Sequence, residues 1–189
     1  MQIESMKGRI PDWLLKARNK WHFTGQKRPD FAMQPKEGQV SVWDFPRPPA
    51  LVKETRSLQV LHEGQVVAFS KKSLAVQETA SPPTYYVPPE DVNHHFLVLI
   101  QGKTSLCEWK GSSSYWALQE NPKLAVAWSY SKPFSPFEPL ANYLAFYPQH
   151  LECYLGDERV IPQPGGFYAG WITNELVGPF KGEPGTEHW

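Results

Sequence analysis

The sequence predicts a mainly β protein, a single compact antiparallel β domain with short helical turns and one N-terminal helix. Three observations predict it. From Ser57 onward apolar residues recur with period two, the period of a strand that buries one face. Proline is abundant at 19 of 189 residues, which breaks long helices and favours short strands joined by rigid loops. Aromatic residues make up 14% of the chain, with eight tryptophans, and aromatic side chains pack well on pleated surfaces.

Residues 10–23 read as one short helix. Pro11 suits the first helical position and Asp12 complements the positive end of the dipole. Trp13, Leu14, Ala17 and Trp21 recur at helical spacing and form an apolar stripe that packs on the body, while Lys16, Arg18 and Lys20 face elsewhere. Residues 24–39 carry turn formers and few apolar anchors, a linker. Residues 43–49 (Trp-Asp-Phe-Pro-Arg-Pro-Pro) are expected to be extended, with Trp43 and Phe45 pinning this strap to the body. Leu58, Val60 and His62 then alternate as a strand, Glu63-Gly64 turns, residues 66–69 return, and residues 73–77 add a third strand. Ser81-Pro82-Pro83 is expected to end this meander.

Tyr85-Tyr86-Val87 is a short strand, and Pro88 to Val92 opens a helical turn with proline first and acids in the first turn. Residues 104–109, 113–118 and 124–130 read as three more strands, 136–140 as a helical turn, and 143–147 and 151–155 as strands. Gly156-Asp157 turns tightly into Arg159, Val160 and Ile161. The tail from Pro162 is rich in glycine and proline, yet it carries Phe167, Tyr168, Trp171, Ile172, Leu176, Val177 and Phe180. A disordered tail would not hold so many large apolar groups, so it is expected to wrap the domain. The chain divides into a basic arm, residues 1–36, and a β-rich domain, residues 37–189.

The formal net charge is zero but unevenly placed. Residues 1–36 hold eight Lys/Arg against Glu4, Asp12 and Asp30, a net +5, which leaves −5 on the remainder. A basic arm beside an acidic body is expected to dock on that body or on a second copy, giving a homo-oligomer through the arm. A body that repels phosphates argues against nucleic-acid binding. The longest apolar run, residues 96–100, is too short to span a bilayer, and residues 1–11 lack the apolar core of a signal peptide. Cys107 and Cys153 are the two cysteines, with no CxxC pair for a zinc ribbon or a redox motif. These features predict a cytoplasmic protein with reduced thiols, no metal, no cofactor and no membrane association.

The segment Cys107-Glu108-Trp109-Lys110-Gly111, with Tyr115 after it, mixes a thiol, a carboxylate, an indole and an ammonium. Filling a core does not require that mixture. Strand alternation would put Cys107 and Trp109 on one face and Glu108 and Lys110 on the other. The functional reading is a thiol against an indole, with Lys110 at the glycine bend reaching a carboxylate or phosphate. The bland reading is Cys107 and Trp109 in the core with a surface Glu108–Lys110 pair. Glu90 and Asp91 could serve acid–base chemistry, although dipole complementation explains them more cheaply. Tyr85, Tyr86, Tyr115, Trp128 and Tyr130 are core or the lining of a cavity. His94-His95 and the His150, Glu152, Cys153 group place neighbours on opposite strand faces and form no chelate unaided.

Four blocks together resemble a known bacterial family, the domain of unknown function 427. They are residues 84–92 (Thr-Tyr-Tyr-Val-Pro-Pro-Glu-Asp-Val); Cys107 to Gly111 with Tyr115; Ala127-Trp128-Ser129-Tyr130 with residues 144–148 (Leu-Ala-Phe-Tyr-Pro); and residues 164–173 (Pro-Gly-Gly-Phe-Tyr-Ala-Gly-Trp-Ile-Thr) with Gly178-Pro179-Phe180-Lys181-Gly182. The resemblance covers about residues 37–189 and implies a small all-β domain, β-tent-like or barrel-like. It implies no chemistry. A nucleotidyltransferase reading lacks a paired-Asp metal motif after a Gly-Ser turn, and residues 178–186 lack the Gly-Lys-Ser/Thr of a P-loop. The paired CxxC by which β-tent relatives hold zinc is missing, and no Gly-x-Ser-x-Gly elbow occurs.

Three functions are carried forward. The first, which we favour, is a small-molecule-binding domain whose pocket draws on Tyr86, Glu90, Cys107, Trp109, Lys110, Tyr115, Trp128 and Tyr130. The second is an enzyme with Cys107 or Lys110 as nucleophile and Glu90 or Glu108 as base. The third is an interaction or scaffold module using the basic arm and the aromatic tail.

Overall fold

The computed structural model describes residues 11–186. Ile10, Lys7 and Arg9 lie outside them. The single α-helix among the described residues, α1, spans Asp12–Asn19. Fifteen short strands follow in order. The first six are β1 Val40–Ser41, β2 Ala50–Lys53, β3 Leu58–His62, β4 Gln65–Ser70, β5 Leu74–Glu78 and β6 Ser81–Tyr86. Next come β7 Leu97–Cys107, β8 Gly111–Leu118, β9 Asn121–Tyr130 and β10 Leu144–Phe146. The last five are β11 Glu152–Leu155, β12 Glu158–Arg159, β13 Ile161–Pro162, β14 Trp171–Ile172 and β15 Leu176–Val177.

The strands form open sheets in the orders β10-β9-β8-β7, β12-β11-β3-β4 and β2-β5-β6, with small ladders β13-β14 and β1-β15. The mainly antiparallel architecture is as expected, but no closed barrel forms, and β1 pairs with β15 in parallel. That parallel ladder joins the start of the β-rich domain, just ahead of the strap, to its C-terminal tail. No helix among the described residues is long and apolar enough to cross a membrane.

Several local expectations need correction. The expected helical stripe is only partly buried: Leu14 is 3% exposed, while Trp13 stands 56% exposed. Residues 42–44 form a 3-10 turn rather than an extended strap, with Ser41 Oγ accepting from Trp43 N at 3.3 Å. Ser81-Pro82-Pro83 starts a strand instead of ending the meander. The reason is position: β6 is the edge of its sheet, where a missing N–H costs no ladder bond. The strand expected from residue 104 begins at Leu97, and its register against β8 shifts between Leu99 and Thr104, around Gly102 at φ +74°. Glu63 and Gly64 both have positive φ, as the two-residue β3–β4 hairpin requires.

The main core lies between the sheets, with Leu58 and Val60 of β3, Val67 of β4, Val126 of β9, Phe146 of β10, Leu155 of β11 and Trp171 of β14. A second cluster gathers Val76, Tyr86, Trp109, Tyr130, Phe137, Leu140 and Ala145. Alternation along β6 divides neighbouring tyrosines between them: Tyr85 packs on Trp171 at 5.2 Å in the main core, and Tyr86 belongs to the second. A third cluster, around Trp43, holds the strap and the described part of the arm.

Glu54 and Arg56 fasten the β2–β3 connection to the tail. Arg56 forks onto Glu54 at 2.9 Å through both Nε and Nη2, and its Nη1 reaches Glu175 at 2.8 Å. Burial opposes the Glu54 charge, but Arg56 outweighs it and holds the carboxyl below its ordinary value of 4.5. A depressed folded-state value gives stability that is present above the unfolded value and lost as pH falls through the folded one. Wild type should therefore exceed Glu54→Gln in urea stability at neutral pH, and the two curves should converge as pH drops below about 4.5. A pH-independent gap would show that Glu54 acts through packing.

Candidate functional site

A cavity of about 370 Å³ opens between the β5–β6 edge of one sheet and the β7–β8–β9 surface of another. Strand alternation builds its wall in pairs two residues apart: Val76 and Glu78, Thr84 and Tyr86, Ser105 and Cys107, Trp128 and Tyr130. Tyr115 stands opposite Trp128 in the ladder and also lines it. Further wall comes from the strap and arm, with Trp21 and Arg47, and from the tail, with Gln163, Tyr168 and Lys181.

Six of the eight sequence-selected residues line this cavity: Tyr86, Cys107, Lys110, Tyr115, Trp128 and Tyr130. Glu90 does not join them; it is exposed on the 3-10 turn Pro89–Asp91. Trp109 is buried beside the cavity in the second core cluster and is not part of the lining. The expected alternation through Cys107–Lys110 fails because the strand ends at Cys107. Residues 108–110 form a turn that closes on Gly111, the ladder partner of Cys107, at φ +93°. Freed from strand geometry, Glu108 and Lys110 reach the same space as Cys107.

The aromatic part is Trp128 with Tyr147 at 4.8 Å and Tyr86 edge-on to Trp128 at 6.2 Å. At the rim, Ser105 Oγ hydrogen-bonds the Tyr115 hydroxyl at 2.7 Å. The Tyr86 hydroxyl is fully buried and has no hydrogen-bond partner of good geometry, although Trp128 and Tyr130 are near enough to act on it. Burial drives the Tyr86 and Tyr130 phenols far above their ordinary range, so both stay neutral.

The charged part contains three cations and two carboxylates. Arg47 ion-pairs with Glu78 and, at 3.6 Å, with Glu108. Its guanidinium also lies 5.2 Å from the Trp109 ring and 5.9 Å from Trp21. Lys110 is 9% exposed and makes no ion pair or side-chain hydrogen bond among the described residues; its Nζ sits 5.7 Å from the Phe137 ring. Burial works against its charge, yet the acidic groups around it carry the balance upward, and it stays an ammonium. Lys181 rests between Trp21 at 5.0 Å and Tyr168 at 5.5 Å. Burial lowers its pKa, with Arg47 adding to the effect against Glu78 and Glu108. Lys181 is placed by Gly182, at φ +100°, where any Cβ would collide with the Pro164 carbonyl.

Sequence reading missed Arg47, Glu78, Tyr147, Tyr168 and Lys181 as site residues. For Glu78 the signal was the period-two spacing from Val76. For Tyr168 and Lys181 it was their place in the fourth motif block. For Arg47, amid prolines, there was none.

The described part of the arm packs on its own chain. Arg18 Nε donates to the Glu108 carbonyl at 2.8 Å, its guanidinium lies 4.8 Å from the Trp109 ring, and Trp21 stacks on Trp43 at 6.4 Å. Elsewhere, His62, Glu63 and Glu120 bring metal-ligand types together on two hairpin tips. His62 Nε2 bonds Glu120 at 2.7 Å there, and none of the three lines the cavity.

The two thiols differ sharply. Cys107 is half-buried in the cavity wall, with Sγ 3.8 Å from Glu108 Oε2. Cys153 is 1% exposed in the main core, and burial pushes its thiol far up. Iodoacetamide is expected to modify Cys107 in the native protein and Cys153 only on unfolding. Peptide mapping after graded exposure reads this directly; equal native labelling of both would contradict the burial of Cys153.

A family model described as a domain of unknown function (DUF427) matches residues 50–157, more than half of the chain, and the chain belongs to that family. The matched span holds the first three motif blocks and excludes Arg47 and Lys181, which the flanking segments bring to the cavity. None of the curated proteins compared with the chain matches it.

Proposed function

We propose that this member of the domain of unknown function 427 family binds a small organic molecule in the cavity between β5–β6 and β7–β9. The observation that carries this reading is convergence. Residues from strands far apart in sequence, and from both flanking segments, meet around one space of metabolite size. A wall of packed aromatic rings with a few charged groups suits a ligand with a flat or apolar body. The test is thermal unfolding across a broad metabolite panel. A true ligand raises the midpoint saturably, by mass action on the native state. Silence across the whole panel would count against binding.

A second reading has one observation behind it: Cys107 opens on the same cavity as Glu108 and Lys110. That placement suits covalent chemistry on a bound ligand, with the thiol as nucleophile. Lys110, held as an ammonium, suits anion binding rather than attack. Cys107→Ser separates the readings, since a binding protein keeps its ligand-induced shift and a thiol enzyme loses turnover.

A further inference from the structure

We infer that the ligand of this cavity is an organic anion, a carboxylate or phosphate carried on a flat ring, and that Lys110 is its counter-ion. The inference rests on the binding reading and adds the charge of what binds.

Of the five charged groups in the wall, Glu78 and Glu108 are both engaged by Arg47. That leaves Lys110 and Lys181 with aromatic neighbours and no ion pair among the described residues. Lys110 is nine-tenths buried, and a buried ammonium without hydrogen-bond acceptors is costly unless something supplies them. The wall thus holds one positive charge in excess, three cations against two carboxylates, and a complementary molecule brings acceptors and negative charge. Carboxylate and phosphate both do so; a neutral amide brings its own donors and no charge. The packed rings of Trp128 and Tyr147 fit a flat body attached to that anion.

Matched probes test this without knowing the natural ligand. Indole-3-acetate, phenyl phosphate and indole-3-acetamide are each titrated to about 10 mM against wild type and Lys110→Met, with the thermal midpoint as readout. At least one anion is expected to raise the wild-type midpoint saturably, by about 3–5 °C, and the amide to leave it unmoved. Which anion acts identifies carboxylate or phosphate. Lys110→Met should lose the response. The acid–amide comparison is made in wild type alone, so it stands even if the variant folds poorly. An amide that stabilises as well as the acid, or a folded Lys110→Met that responds like wild type, overturns the anion inference while leaving binding intact. Failure of all three probes overturns it too, and the metabolite panel then judges the binding reading separately.

Discussion

Trp171→Ala is expected to destabilise the protein by about 3–5 kcal/mol, the range for deleting a buried tryptophan from a packed core. Trp171 is fully buried, packs against Tyr85 at 5.2 Å and donates from Nε1 to the Phe146 carbonyl at 3.2 Å. Alanine would leave a cavity in the main core and an acceptor without its donor, and the two costs add. Against a typical total of about 5–15 kcal/mol, the loss takes a large part of the margin. Urea unfolding should show a much lower midpoint. A loss below about 1 kcal/mol would mean that the tail only rests on the surface, contrary to its burial.

Arg47→Met is expected to cost about 2–3 kcal/mol, somewhat less than for a fully buried pair because Glu78 and Glu108 keep 25% and 33% side-chain exposure. Removing the guanidinium leaves two carboxylates in the cavity wall with Lys110 and Lys181 as the remaining cations. Adding Glu78→Gln to Arg47→Met should recover part of the loss, because one of those charges is then gone. The double-mutant cycle reads the coupling. Additive single effects would show that Arg47 acts through its stacking on Trp109 and Trp21 rather than through its ion pairs. Arg47→Met should also weaken the response to the anionic probes, since the freed carboxylates then compete for Lys110.

Much of the fold was legible because strand periodicity and turn chemistry are local. The Leu58, Val60, His62 alternation and the Glu63-Gly64 turn define a hairpin within a few residues of sequence. Where reading failed, tertiary position decided. Pro82 and Pro83 sit in a strand because β6 is an edge, which no local pattern states. Trp13 sits next to Leu14 in the stripe, yet it is exposed where Leu14 is buried, because successive helical residues point about 100° apart.

The site shows the same division. Tyr86, Trp128 and Tyr130 are strand residues, so their side-chain directions follow from alternation once the face is known. Cys107, Glu108 and Lys110 meet because a strand stops one residue before the turn, a boundary that sequence fixes least well. Arg47 and Lys181 arrive from segments that flank the matched family span, and only the three-dimensional path of the strap and tail brings them in.

Cys107 lies in the cavity wall and reports on whether a ligand is held there. The measurement is the rate of native Cys107 alkylation as a stabilising compound is titrated. The rate is expected to fall with the same half-saturating concentration that raises the thermal midpoint. Stabilisation with an unchanged Cys107 rate would put the binding site elsewhere and overturn binding in this cavity.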